Sequence, residues 1–308
     1  MKLLFIHGRS QQGRSSDELR IEWVEALNLA LKRLKIPTIE TEVVSVPFYG
    51  DLLETLSKTS AVPVTAPDLS KRSNDSYDSF LKEFASEIGE RHPDLLPDQL
   101  QPAAPPSPSP GGAHHLDMQA RSAGDFNTRG PQNWWWVIEV VRALDRKFPA
   151  VSSLTIENLL HDVYVYMTNR GIRDKIDAVV RKELSNQPTV VVAHSLGTVV
   201  AFNVLRDHGG KVPLLVTVGS PLAMRAVANR LPTPKTIPGA VENWFNAYDV
   251  HDIVALNRLA PDDFTTDRPI ENHGEVKNFT ENHHSIAGYL TDLAVAQKIV
   301  SAFREDPK

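Results

Sequence analysis

An α/β fold built on a mostly parallel sheet is predicted by three features of this 308-residue chain. Residues 189–193 form a short, continuous apolar run rich in β-branched side chains, as expected of a strand buried on both faces. The run breaks at His194-Ser195-Leu196-Gly197, and apolar positions then resume at helical spacing through Leu205. The same alternation of strand-like and helix-like segments runs through most of the chain. Crossover helices on both faces imply parallel strands, with the functional groups at their carboxyl ends.

Taken in order, Leu3 to Ile6 is the first strand and ends at His7-Gly8. Ser15, Ser16 or Asp17 can cap a helix over 18–35, with Leu19, Trp23, Leu27, Leu31 and Leu34 on one face. A second strand is expected over 38–46, ending at Pro47. Residues 48–132 depart from the sheet pattern. Tyr77, Phe80, Leu81, Phe84 and Ile88 suit a short amphipathic helix, and the proline-, serine- and glycine-rich run at 102–112 cannot build regular hydrogen-bonded structure. The expected organisation is a core of 1–47 and 133–308 with 48–132 inserted as a cap. That cap would have a flexible stretch at about 100–130 and serve as lid or linker. Its apolar pieces are too few for a core of their own and should dock over the site or against Trp134, Trp135 and Trp136. These tryptophans open a helix continuing through Val137, Val140, Val141 and Leu144. His161 reads as a hydrogen-bonded packing residue, and a helix follows over 172–184. Strands are expected at 213–218, ending in Gly219-Ser220-Pro221-Leu222, at 242–248, ending in Asp249, and at 276–279. His283-His284 then begins a terminal helix through Ala302.

A strand that turns sharply into a helix around a serine needs small residues two positions to either side, because strand and helix backbones approach closely there. Ala193 and Gly197 meet that need. Ala193-His194-Ser195-Leu196-Gly197 resembles the G-x-S-x-G nucleophile elbow of the α/β-hydrolases, with alanine in the first small position. The alternative is a buried strand, a turn serine and a helix without chemistry. The order of elements is also similar to that family over the whole chain except 48–132. The resemblance implies an α/β-hydrolase fold with a reduced, mostly parallel sheet and a cap or lid insertion, since no strand precedes the one ending at His7.

It further implies residue roles in the order serine, acid, histidine. Ser195 would be the nucleophile. Asp252, in Asp252-Ile253-Val254-Ala255, stands in a segment similar to the D-I-V-P acid loop of lipases of the fungal triglyceride type, with alanine replacing the proline. It is preferred as the acid to Asp249. His284-Ser285-Ile286-Ala287-Gly288-Tyr289 is similar to a His-Ser-x-x-x-Tyr last loop, so His284 is preferred as the base to His283. His251 lies inside the acid loop and is not expected to reach Ser195, while His194 shapes the elbow. The family's oxyanion hole maps onto the backbone N–H groups of Leu196 and Arg9. The implied reaction is carboxylic-ester hydrolysis of the lipase or esterase type through an acyl-enzyme. A thioesterase, acyltransferase, amidase or peptidase would use the same triad, and a non-catalytic interaction module would keep the fold with its site blocked.

Composition narrows the field. A net charge of −5 offers no basic surplus for nucleic acid, and the absence of cysteine removes disulfides, thiol nucleophiles and thiolate metal sites. No H-E-x-x-H or phosphate-loop motif occurs, so no cofactor and no metal are expected. No stretch has the roughly 20 apolar residues that a membrane-spanning helix needs. The expected partner is a small-molecule or lipid acyl ester met in the cytoplasm, with peripheral membrane contact at most.

Overall fold

The computed structural model describes residues 1–60, 75–93, 96, 134–147, 156–280 and 283–305. Among these residues the sheet has six strands, β1 (Lys2–Ile6), β2 (Val44–Ser45), β3 (Thr189–His194), β4 (Val212–Val218), β5 (Val241–Ala247) and β6 (Glu271–His273). Every pairing is parallel and the order is β2-β1-β3-β4-β5-β6. The uninterrupted apolar runs follow from this arrangement, because both faces of the sheet are covered. Leu4, Ile6, Val191 and Ala193 point into one hydrophobic cluster, and Leu3, Phe5, Val190 and Val192 into the other. Leu3 to Ile6 are wholly buried, which stabilises the fold by about 2 kcal/mol for each large side chain.

The second cluster is closed by α1 (Ser16–Arg33), α9 (Ile286–Leu290) and α10 (Leu293–Arg304). Ser15 caps α1 in a capping box, its hydroxyl accepting from the Glu18 N–H while the Glu18 carboxylate accepts from the Ser15 N–H. The first cluster takes α2 (Gly50–Lys58), α3 (Asp75–Arg91), α4 (Trp134–Lys147), α5 (Ile156–Thr168), α6 (Arg170–Glu183) and α7 (Leu196–Arg206). The short α8 (Arg225–Ala228) also lies on this side. Among the described residues no helix is long and apolar enough to cross a membrane.

Helix α3 carries the expected apolar stripe of Tyr77, Phe80, Leu81, Phe84 and Ile88, all buried in the same cluster as strand residues Leu4 and Val191. Its polar side is tied to the segments after β4 and β5. Glu83 pairs with Arg230, Glu90 with Arg225, and Arg91 with Asp263. The buried Glu87 accepts from the Arg225 N–H at 2.8 Å and the Asn257 amide at 2.7 Å. The stretch 100–130 and the side chains of Trp134, Trp135 and Trp136 lie outside the described residues.

Three expected elements differ. The strand expected over 38–46 shrinks to Val44–Ser45, preceded by a 3₁₀ turn at Thr41–Val43. The Asn28 side chain takes both backbone groups of Ile39, at 2.8 and 2.9 Å, so the chain there pairs with a helix rather than with β1. The last strand is not at 276–279 but at Glu271–His273, opposite Phe245 to Ala247. Residues 276–279 instead run past the strand ends, with Val276 buried and the Asn278 N–H donated to Asp249. The terminal helix is two helices, capped by Ser285 and Asp292.

The strand order reverses between β1 and β3. β1 leads outward to β2, whereas β3 leads the other way to β4, β5 and β6. In an open α/β sheet, the carboxyl ends of the strands on either side of such a switch leave a crevice. His7-Gly8-Arg9 ends β1 there, and Ser195 ends β3.

Candidate active site

Strand β3 ends at His194, and α7 starts at Leu196. Ser195 joins them at φ 56° and ψ −132°, a backbone conformation that non-glycine residues seldom adopt. The bend is held by the Ser195 N–H on Val218 O at 3.2 Å and by Thr198 Oγ1 on Ser195 O at 2.7 Å. It also requires missing side chains. A Cβ on Gly197 would lie 2.5 Å from the carbonyl oxygens of Ile6 and His7, and one on Gly8 would lie 2.7 Å from Ser195 Cβ. The end of β1 therefore packs directly on the serine.

Ser195 Oγ is 3.0 Å from His284 Nε2, and His284 Nδ1 is 2.8 Å from Asp252 Oδ2. The three residues are 2 %, 3 % and 0 % exposed. A carboxylate only accepts, so the shared proton sits on His284 Nδ1, which leaves Nε2 with a lone pair for the Ser195 hydroxyl proton. Asp252 Oδ2 also accepts from the Tyr289 hydroxyl at 2.5 Å, and Oδ1 from the Val254 N–H at 2.9 Å. Burial and the Asp252 charge hold the Tyr289 phenol well above its ordinary range, so it stays a neutral donor. Gly219, at φ 57°, leaves room for this pair, since a Cβ there would stand 3.1 Å from His284 Cε1 and 3.2 Å from Asp252 Oδ2.

The competing residues fall elsewhere. Asp249 is buried and accepts from the His251 N–H at 2.8 Å and the Asn278 N–H at 2.7 Å. His251 is exposed and rests on Asp249. His283 donates from Nδ1 to Asn278 O at 2.8 Å. His161 is buried on α5, its ring 3.3 Å from Asp162 and 3.5 Å from the Ser60 hydroxyl. His194 donates from Nε2 to His284 O at 2.7 Å, and burial holds it neutral by pushing its pKa well below the ordinary histidine range.

Arg9 follows the end of β1 and Leu196 follows Ser195. Leu196 is the first residue of α7, where a backbone N–H has no acceptor within its own helix. The Arg9 side chain donates from Nε to Asp162 of α5. His7 orients the peptide before Arg9. Its Nε2 accepts from the Tyr49 N–H at 3.1 Å, so the ring proton is on Nδ1, which donates to Gly8 O at 2.7 Å. In a trans peptide the next N–H points opposite to that carbonyl, so the Arg9 N–H is turned away from the His7 ring. Burial pushes the His7 pKa down to about 4, which keeps this tautomer in place at neutral pH.

Sequence reasoning missed Asn278 and Tyr49 as parts of this region, and it named Tyr289 in the last-loop pattern and Gly219 in the turn after a strand without giving either a role beside Asp252 and His284. Comparison with protein-family models, with curated proteins and with solved structures finds no match to this chain.

Proposed function

We propose that the chain is a serine hydrolase of the α/β-hydrolase kind that cleaves a carboxylic ester through an acyl-enzyme. One observation carries this reading: a buried Ser195–His284–Asp252 hydrogen-bonded chain at the switch point of a parallel sheet. A serine hydroxyl is a weak nucleophile without a base in reach. His284 Nε2 takes its proton as Oγ attacks the ester carbonyl, and Asp252 stabilises the imidazolium. The N–H groups of Leu196 and Arg9 hold the oxyanion, each contributing about 3 kcal/mol to the transition state. His284 then returns the proton to the leaving alkoxide, and water repeats the sequence to free the acid. The insertion at 48–132 is proposed to cap the acyl site. The cysteine-free composition fits a cytoplasmic enzyme acting on a small or lipid acyl ester, with no cofactor in the steps above.

A fluorophosphonate probe tests the reading, followed by p-nitrophenyl esters and thioesters of graded chain length. Covalent labelling at Ser195 with ester turnover supports it, and faster thioester turnover would move it to a thioesterase. Folded protein that neither labels nor turns over would mean an interaction module. Replacing 100–130 with a short Gly/Ser linker should change the long-to-short ester ratio, and an unchanged ratio would remove the cap from the proposal.

A further inference from the structure

We propose that Asp249, His251 and His283 form a divalent-cation site, matched to Zn²⁺, that ties the loop after β5 to the loop before α9. One donor atom from each residue lies within 4.8 Å of the other two. The donors come from two loops more than 30 positions apart in sequence, so no short-range motif announces them. His251 Nδ1 is 3.0 Å from Asp249 Oδ1, and His283 Nδ1 is 3.6 Å from Asp249 Oδ2. The two imidazole rings stand 5.3 Å apart. In a tetrahedral zinc site with ligands at about 2.0–2.1 Å, neighbouring donors are roughly 3.3 Å apart. The carboxylate–imidazole distances already bracket that value, and the two imidazole donors, within 4.8 Å of each other, would close on the ion.

Both rings now donate from Nδ1, His251 to Asp249 at 3.0 Å and His283 to Asn278 O at 2.8 Å, so binding an ion moves each ring proton to Nε2 and replaces those two hydrogen bonds. A carboxylate has about four lone-pair positions. Backbone N–H groups of His251 and Asn278 occupy one on each Asp249 oxygen. Another position on each oxygen is left facing an imidazole. The same two N–H groups fix the carboxylate's orientation, as outer-shell hydrogen bonds do for metal ligands. Asp249 itself is 2 % exposed, whereas the His251 side chain is 68 % exposed. The cluster thus has a rigid buried anchor, a ring with room to move, and a solvent side for entry and for a water as fourth ligand. Two imidazoles with one carboxylate suit Zn²⁺ rather than Ca²⁺ or Mg²⁺, which take oxygen ligands. His283 also holds a left-handed backbone at φ 54°, a conformation that costs about 1 kcal/mol for a non-glycine residue. In that conformation its Nδ1 reaches Asn278 O and the Asp249 carboxylate, while the next residue, His284, faces Ser195.

The site stands whether or not Ser195 is a nucleophile, so its test reads metal rather than turnover. The full chain is stripped with EDTA and titrated with Zn²⁺ at pH 7.5 by calorimetry and thermal unfolding, with Co²⁺ as a visible-absorbance probe. The expected result is one ion per chain, a Tm rise of about 3 °C or more at saturation, and tetrahedral Co²⁺ bands. His251→Ala and His283→Ala, checked for folding by circular dichroism, should each weaken binding at least tenfold. Ser195→Ala and His284→Ala should bind as the parent does. No binding by the parent, or unchanged binding in both His251→Ala and His283→Ala, overturns the proposal. Loss of binding in His284→Ala alone would place the ion on the triad histidine and overturn it equally.

Discussion

Ser195 and its two partners belong to one hydrogen-bonded chain, but the two ends of that chain are held in different ways. At the elbow the backbone does the work. The bend of β3 into α7, the close approach of β1 and the absent side chains at Gly8 and Gly197 fix Ser195 through contiguous segments and van der Waals exclusion. At Asp252 and His284, side chains do it. Asp252 is held by Tyr289 and the Val254 N–H, while Asp249 and Asn278 bridge the loops on which Asp252 and His284 sit. The first arrangement tolerates no added atom. The second depends on each polar partner being present.

The largest effects should come from cutting the chain itself. Ser195→Ala removes one oxygen and should abolish ester turnover with the thermal unfolding curve unchanged. Asp252→Asn and His284→Ala should each lower kcat by about 10⁴-fold. Measured activity in purified Ser195→Ala close to that of the parent would sink the proposed function. The next largest effect separates the two aspartates. Asp249→Asn weakens acceptors for two backbone N–H groups and should cost about 1–3 kcal/mol in urea unfolding, with a kcat loss well under that of Asp252→Asn. If Asp249→Asn proves the more damaging in kcat, the acid has been assigned to the wrong end of the loop.

Acid should act on the elbow side first. The folded pKa of His7 is about 4 against 6.5 in an unfolded chain, so the unfolded chain binds the extra proton between those values. Stability should therefore be full above about pH 6.5 and fall towards pH 4, by about 3 kcal/mol from His7 alone. His194, lowered by burial, acts in the same direction. Urea unfolding at pH 7, 5.5 and 4.5 measures the slope, and His7→Asn should flatten it; an equal slope in that variant would remove His7 as the cause. The smallest effect is Tyr289→Phe. Without its hydroxyl, Asp252 carries more charge towards His284 and favours the imidazolium. The acid limb of the kcat/KM profile should move to higher pH by about 0.5–1 unit, with at most a tenfold loss in kcat. A downward shift would show that Tyr289 does not act through Asp252.

The same contrast explains what could be read from sequence. The elbow was legible because its requirements are local: an apolar run, a serine between small residues and a helix. The choice of Asp252 and His284 came from likeness to a family pattern, and the distances bring those two together with Ser195. What holds them was not legible: Tyr289 was named in the last-loop pattern and Asp249 as a rival acid, but their contacts with Asp252 and Asn278 exist only after the chain has folded. Strand limits failed for a related reason. Whether 38–46 joins the sheet depends on Asn28, a polar residue on a helix whose side chain captures Ile39. Whether 271–273 or 276–279 pairs with β5 depends on where the backbone of Asn278 is needed.

The pairing of β1 with β3 also bears on how the protein is made. Ile6 lies beside Ala193, so the contact that brings His7-Gly8 to the serine closes a loop of nearly 190 residues. Loop-closure entropy grows only slowly with length, but such non-local pairings form late and slow folding. During synthesis Leu3 to Ile6 leaves the ribosome long before β3 exists, and among the described residues its other strand partner is the two-residue β2. An intermediate lacking β1 would have the serine turn without the His7-Gly8 backbone that packs on it. In a nascent or refolding chain the surroundings of Ser195 are therefore incomplete until these two distant segments have met.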